Sequence, residues 1–373
     1  MIVRQIDLVD FRNYATASLA LTDRVTAVIG DNGQGKTNLV EALGWMATMS
    51  SFRGSPNEAL IRVGADQAIV RAHVEHDDGR MLLIECEINR NGRNRVLVNK
   101  QRLQRSRDLL GVLRVSVFSP DDLELIKGGP GIRRDFLDET LVALRPKFDA
   151  DLRDLDRIIR QRNVLLKQAG GRLSNDVAFT LDVWDAKLAS VGELIGDART
   201  SLLGDLVPLV IAAYRDLIEI DVPIEMVYDP PWRRTGLGVA LEANRSDDVR
   251  RQLSLVGPHR DEVEIGLAAM PARTHASQGE QRSLALAIKL AAHRLVTERI
   301  GSSPLLVLDD VLSELDPRRS AALLHHLPPG QVLLTSADVL PPDAGASTVV
   351  RVARGTVVAN GAGGGAAAAD EGS

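Results

Sequence analysis

Apolar positions change their period twice along this chain, and each change marks a change of element. Residues 2–11 alternate in part between apolar and polar, and Val25-Thr26-Ala27-Val28-Ile29 is a short β-branched run of the kind buried in a sheet. A glycine-rich turn follows, and from about residue 36 to 49 the pattern is helical. Strand-like runs return at 68–74, 81–88 and 95–98, with turn signals at Asp77-Asp78-Gly79 and Asn91-Gly92.

The middle of the chain carries a longer period. Phe148, Leu152, Leu155, Ile159 and Leu166 keep a 4-3-4-7 spacing, and Leu181, Trp184, Leu188, Val191, Ile195, Ala198 and Leu202 alternate steps of three and four. These are two apolar seams at heptad spacing, separated by Gly170-Gly171 with Ser174 and Asn175 behind them. An antiparallel helical hairpin accounts for both, with arms of about 25 residues reaching roughly 35–40 Å. Ordinary amphipathic helices of a compact domain are the alternative. After Asp229-Pro230-Pro231-Trp232 the α/β character returns, with a helix over 284–300 and buried strands over 305–308 and 331–335. The chain from Asn360 onward is low in complexity and reads as disordered.

Composition narrows the class of protein. With 373 residues there is room for two domains, or for one large domain carrying an insertion. Apolar residues at 45% and charged residues at 25% are ordinary for a soluble globular protein, so a sizeable core is available. The single cysteine, Cys86, can form no internal disulfide, and no Cys/His cluster has zinc spacing. The first residues meet charge at once, and no stretch approaches the roughly 18–20 apolar residues of a membrane span. A cytoplasmic protein with no membrane partner is expected. A net charge of −5 argues for no nucleic acid, so any DNA contact has to come from a local basic surface.

Phosphate chemistry enters at Gly30-Asp31-Asn32-Gly33-Gln34-Gly35-Lys36-Thr37, which matches G-x-x-x-x-G-K-[ST] between an apolar strand and a helix. Glycines let backbone N–H groups close around phosphate oxygens, and the helix N-terminus adds partial positive charge. Lys36 then neutralises the β- and γ-phosphates, and the Thr37 hydroxyl ligates Mg²⁺. The run Leu305-Leu306-Val307-Leu308-Asp309-Asp310 ends a buried strand in two carboxylates. Such a strand, finishing at the carboxyl edge of a sheet, delivers Asp309 to Mg²⁺ and Asp310 towards the attacking water. Lys36 and Asp310 are therefore the candidate catalytic residues, Thr37 and Asp309 the candidate metal ligands. All eight loop residues are candidate nucleotide contacts. Read without the loop, the two acids are a strand end followed by helix-capping residues.

Two further segments decide the subclass. Ala276-Ser277-Gln278-Gly279-Glu280-Gln281-Arg282 resembles the signature motif of ABC ATPases, with Gln278 where the first glycine of the usual pair stands. A plain helix N-cap is the alternative for this segment alone. Ser313-Glu314-Leu315-Asp316 resembles their D-loop. About 240 residues separate Lys36 from Ser277, more than in transporter subunits and far fewer than in proteins that insert a long coiled coil there. Asp10-Phe11-Arg12-Asn13-Tyr14, the 118–128 stretch, Gly131-Ile132-Arg133-Arg134 and Gly257-Pro258-His259-Arg260-Asp261 extend the likeness to about residue 340. In these stretches the chain resembles the RecF family.

That resemblance implies an α/β fold, an ABC-type ATPase head in which a P-loop NTPase core carries an added β-rich subdomain. A helical domain with a short antiparallel coiled-coil hairpin is inserted into it. The expected division is 1–130 and 251–357 for the two parts of the head, 131–250 for the helical arm and 358–373 for a disordered tail. ATP with Mg²⁺ is implied, sandwiched in a homodimer where Ser277, Gly279 and Glu280 meet the nucleotide of the other protomer. Arg12 matches an arginine that reaches the phosphates. Three departures stand out: Asp310 in place of a glutamate, Thr335 in place of a histidine, and no assigned Q-loop glutamine, for which 118–128 is the region.

The function implied is ATP-dependent DNA binding in recombinational repair and replication restart. The dimer would form on duplex DNA near single-strand gaps and help load RecA, together with RecR and RecO. An SMC- or Rad50-like structural head and a transporter ATPase subunit are the alternatives. For DNA, residues 88–107 contain no acid while Arg90, Arg93, Arg95, Lys100, Arg102, Arg105 and Arg107 recur every few positions. Such a run tracks phosphates without reading bases, or is simply a solvated face. Aromatic residues are 3% of the chain and none interleaves with the run, which argues against stacking on single strands.

Overall fold

The computed structural model describes residues 1–337, 340–341 and 344–359. The chain forms two compact units, one from residues 1–120, 304–325 and 329 onward, the other from 121–303 with 326–328. Residues 251–303, expected with the head, group with the helical unit. Val358 and Ala359, expected in the tail, belong to the strand Thr356–Ala359. Residues 360–373 lie outside the described residues.

Two sheets share one core in the first unit. The strands Thr348–Ala353, Val25–Ile29, Val332–Ser336, Leu305–Asp309 and Val115–Phe118 run parallel in that spatial order, and Thr356–Ala359 closes one edge as an antiparallel hairpin. The two central strands Leu305–Asp309 and Val332–Ser336 are buried at every position, as near-continuous apolar runs in a parallel sheet should be. The second sheet is antiparallel, in the order Tyr14–Ala20, Ile2–Phe11, Gln67–Glu75, Met81–Asn89, Arg95–Val98, Gln101–Arg102. Its strands alternate as a half-covered sheet requires, with Ala68, Val70, Ala72 and Val74 inside. Between the sheets lies the helix Lys36–Thr48, apolar nearly all round and buried from Leu39 through Met46.

The second unit is mainly helical: Pro130–Leu144, Phe148–Gln168, Asn175–Ile218, Leu237–Arg251 and Gln278–Ile300, with a small sheet of Ile224–Val227, Glu264–Leu267 and Met270–Pro271. The hairpin is present. Gly170 and Gly171 turn the chain with φ of 57° and 81°, and the Ser174 hydroxyl caps the second arm by accepting from the Val177 amide at 3.3 Å. The arms are unequal, however, at 21 and 44 residues. The longer one also packs along Gln278–Ile300, so hairpin and compact helical domain are combined in a single element.

Each seam is displaced from the expected apolar spacing by a buried charge. In the first arm Ile158 and Arg162 face inward where Ile159 was expected. In the second arm the buried positions up to Leu202 are Leu181, Asp185, Leu188, Gly192, Ile195, Gly196, Ala198, Arg199 and Leu202, so Ala198 is inside as expected, whereas Trp184 and Val191 are only half-buried. Arg162 is fully buried and pairs with Asp185 at 2.7 Å and Asp248 at 2.7 Å. Arg199 binds both oxygens of Asp138 at 2.9 and 2.7 Å. A reading that counts only apolar residues passes over both positions.

A buried ion pair that loses one partner leaves an uncompensated charge. Asp248→Ala should therefore lower the unfolding free energy by about 3–5 kcal/mol. Arg250→Ala, which removes only the exposed pair with Asp247, should cost less than about 0.5 kcal/mol. Urea titration of the two variants beside wild type measures the contrast.

Candidate functional site

Backbone geometry shapes the phosphate loop. Gly33 and Gly35 have φ of 78° and 119°, which a residue with a Cβ rarely adopts. Gly30 is required by space, since a Cβ there would lie 2.3 Å from the Val352 carbonyl oxygen. Lys36 is almost fully buried and donates from Nζ to the carbonyls of Gly30 at 2.7 Å and Asp31 at 3.2 Å. Its ammonium thus lies inside the loop that the helix N-terminus closes.

Neighbouring segments brace this loop from two sides. The Tyr14 hydroxyl donates to the Gly35 carbonyl at 3.0 Å and Asn13 Nδ2 to the Gln34 carbonyl at 3.0 Å. From the C-terminal hairpin, the Gly355 amide donates to the Gln34 carbonyl at 3.1 Å and the Arg354 amide to Gln34 Oε1 at 2.6 Å. The Gln34 side chain, expected at the nucleotide, is therefore engaged as a strut. Asp31, Asn32 and Gly33 are exposed at the loop's open side.

Parallel pairing sets Asp309 opposite Thr335. The Thr335 hydroxyl donates to Asp309 Oδ1 at 2.7 Å and accepts from the Asp310 amide at 3.0 Å. The Thr37 hydroxyl lies near enough to the Asp309 carboxyl to favour its charged form, so the two candidate Mg²⁺ ligands are neighbours. Burial pushes that carboxyl above its ordinary range, against the hydrogen bond from Thr335, the nearby Thr37 hydroxyl and the charge of Lys36. Asp310 has a left-handed backbone, φ 55°, and its Oδ1 accepts from the Ala337 amide at 3.2 Å. In the following turn the Ser313 hydroxyl donates to the Asp310 carbonyl at 2.7 Å, and Asp316 Oδ1 accepts from the Arg319 amide at 3.0 Å.

Thr335 is the residue whose role was missed. Read as the place of an absent histidine, it is instead the group that holds the Asp309 carboxyl and the Asp310 backbone. The signal available in the sequence was a hydroxyl ending an otherwise apolar strand.

The remaining candidates divide between the units. Arg12, in the first, is held by Glu41, Ser55 and the Ala59 carbonyl. Ser277, Gly279 and Glu280, in the second, open the helix Gln278–Ile300, which begins six residues before the expected start. Ser277 and Glu280 form a capping box: the Ser277 amide and hydroxyl both donate to Glu280 Oε2 at 2.7 Å, and the Glu280 amide donates back to Ser277 Oγ at 3.3 Å. Ser277 is nonetheless exposed. Two other stretches singled out in the sequence bind each other: Arg133 binds both oxygens of Glu262 at 2.8 and 3.0 Å, and Arg134 donates to the Asp261 carbonyl at 2.5 Å.

A parallel sheet with the phosphate loop after one strand and two acids after another, joined to an antiparallel subdomain and interrupted by a helical hairpin, defines an ABC-type ATPase head. Residues 2–337 match the family model described as the RecF/RecN/SMC N terminal domain. A "DNA replication and repair protein RecF" from Streptomyces avermitilis is 43% identical over 96% of this chain and 99% of its own, and one from Cutibacterium acnes is 40% identical over 90% and 92%. A solved structure of "the recombination mediator protein RecF-ATP in RecFOR pathway" superposes with a TM-score of 0.88 at 28% identity, covering 96% and 97% of the two chains. The chain belongs to the RecF family of DNA replication and repair proteins, and it is an ATPase of that type.

Thr335→Val keeps the shape of the strand residue and removes both hydrogen bonds to the acids. ATP turnover should fall about 10–100-fold, as for other groups that orient a ligand. Affinity for a fluorescent ATP analogue, measured alongside, should change little.

Proposed function

We propose that this protein is an ATP-gated DNA clamp, in which ATP is sandwiched between two copies and duplex DNA is gripped while they are closed. The observation that carries this reading is the placement of the basic run. Arg93, Arg95, Lys100, Arg102, Arg105 and Arg107 are exposed around the short strands Arg95–Val98 and Gln101–Arg102, at one end of the antiparallel sheet. The turn between them, Asn99-Lys100, has φ of 50° and 66° and presents Lys100 at its tip. Arg95 is loosely paired with Glu87 at 3.6 Å, and Arg90 donates to the Ala65 carbonyl at 3.1 Å. This sheet shares its core with the helix that begins at Lys36, so the phosphate loop and the basic end belong to one packed body.

Mg²⁺ fits the donor set, a buried carboxylate with a hydroxyl beside it, and would supply charge neutralisation at the phosphate oxygens. Thr37 and Asp309 would hold it. Lys36 would bind the β- and γ-phosphates, and Asp310 would orient the attacking water. Asp31, Asn32 and the loop amides would close around the phosphates. Ser277 and Gly279, exposed or half-buried at a helix N-terminus, suit contact with the γ-phosphate held by the other copy. ATP then favours the closed dimer because it touches both copies only in that state.

In the cell such a clamp would act in the cytoplasm at gapped or junction DNA, aiding RecA with RecR and RecO. The RecFOR pathway assigned to the structurally similar RecF supports those partners. No helix among the described residues is long and apolar enough to cross a membrane.

Anisotropy of labelled gapped duplex DNA, titrated with and without Mg-ATP, tests the reading. Tight binding should require both ATP and Lys36, so that Lys36→Ala binds weakly and stays monomeric on gel filtration with ATP. Asp310→Asn should bind ATP and remain trapped as a dimer. ATP-independent binding of equal strength by wild type and Lys36→Ala would refute the gate. For the basic surface, the double variant Arg102→Ala/Arg105→Ala should reduce the slope of log K against log salt by about 2.

A further inference from the structure

Arg12 sits in an unusual backbone. It is the first residue of a two-residue turn joining Ile2–Phe11 to Tyr14–Ala20, where Phe11 pairs with Tyr14. Its φ of 52° lies in the left-handed region that favours glycine. A side chain kept at such a position points to a task for that side chain. The next two residues, Asn13 and Tyr14, both donate to the phosphate loop, so Arg12 is carried on the segment that braces it.

The guanidinium is fully oriented. Nε and Nη2 donate to the two oxygens of Glu41 at 2.7 and 2.6 Å, Nη2 also to Ser55 Oγ at 2.7 Å, and Nη1 to the Ala59 carbonyl at 2.8 Å. An arginine has five N–H donors, so one on Nη1 is left over. Glu41 is completely buried on the helix that starts at Lys36, and it also accepts from the Ser51 hydroxyl at 2.5 Å. Arg53 comes to 3.8 Å of the same carboxylate, but the two short bonds from Arg12 are its main compensation, and a carboxylate so buried loses them only at a large penalty. Arg12 therefore cannot swing away from Glu41 to follow a ligand, and its direction is set by the same helix that closes the phosphate loop.

We propose that Glu41 is a positioning residue for nucleotide turnover, holding Arg12 in one orientation so that its remaining N–H meets a phosphate oxygen. This rests on Arg12 meeting the nucleotide, as implied by the family resemblance. Glu41 lowers the net charge that Arg12 brings to the site and fixes its geometry. The pair thus acts through alignment in the closed state, and contributes little to the affinity for ATP. Ser55 plays the same part more weakly, through one acceptor on Nη2.

Wild type, Arg12→Ala, Glu41→Gln and the double variant test this, with kcat, KM, affinity for a fluorescent ATP analogue and ATP-dependent dimerisation read on each. Glu41→Gln should lower kcat about 10–100-fold, with KM and analogue affinity nearly unchanged and ATP-dependent dimerisation reduced. The double variant should be no slower than Arg12→Ala, because the two residues act as a unit. Ser55→Ala, too mild to unfold the protein, should lower kcat several-fold in the wild type and not at all beside Arg12→Ala. Additive losses in the double variants, or equal losses of turnover and affinity, would overturn the proposal. Wild-type turnover and dimerisation in Arg12→Ala would bring down the nucleotide role of Arg12 itself, and the role of Glu41 with it.

Discussion

Parallel pairing between Val25–Ile29 and Val332–Ser336 is the contact on which the nucleotide site depends. It sets Ile29, the residue before the phosphate loop, beside Ser336, while the next pairing sets Thr335 beside Asp309. Lysine, threonine and carboxylates arrive at one sheet edge only through this alignment. The partners lie about 300 residues apart in the chain, with the whole second unit between them. Closing so long a connection is less costly than it looks, since each doubling of a flexible loop adds only about 0.6 kcal/mol. An insertion that folds on itself adds still less, because its ends are already fixed.

Charge is used differently in the two units. In the first, Asp309 is buried beside Lys36, Thr37 and Thr335, an arrangement suited to meeting a cation and a polyphosphate. In the second, Arg133, Arg134, Arg162 and Arg199 are spent on the loop that follows Leu237–Arg251: on Ser254, the Pro258 and Asp261 carbonyls, and Glu262. Asp261 in turn accepts from the Tyr228 hydroxyl at 2.5 Å and the Trp232 indole at 2.8 Å. Such networks seldom add net stability over apolar packing, but they permit one arrangement and penalise the rest. Two of the stretches that carry the family likeness, Gly131–Arg134 and Gly257–Asp261, are thus partners in one lock.

Local chemistry makes the nucleotide loop, the two acids and the hairpin break legible from the residues alone. Each rests on residues whose reason for being there is local: glycines at positive φ, carboxylates ending an apolar run, Gly170-Gly171 before a capping serine. The rest is hidden because it is paired across distance. Nothing near Arg162 announces Asp248, and nothing near Arg12 announces Glu41. Thr335 illustrates the same limit, since its function is defined by the strand beside it. The boundary between Ser303 and Pro304 is equally hard to read, because α/β character resumes well before it while residues 251–303 pack with the helical unit.

The bracing of Gln34 by Arg354 and Gly355 has a consequence for synthesis on the ribosome. In a nascent chain the phosphate-loop motif, ending at Thr37, is made well before its neighbours in the sheet. The strands Val332–Ser336 and Thr348–Ala353, which flank the strand leading into it, and the hairpin turn that props it follow about 300 residues later. Until then the loop has neither its sheet neighbours nor its struts. A chain still lacking them holds the motif without the braced loop, so reading the motif and forming the site are separate events in synthesis.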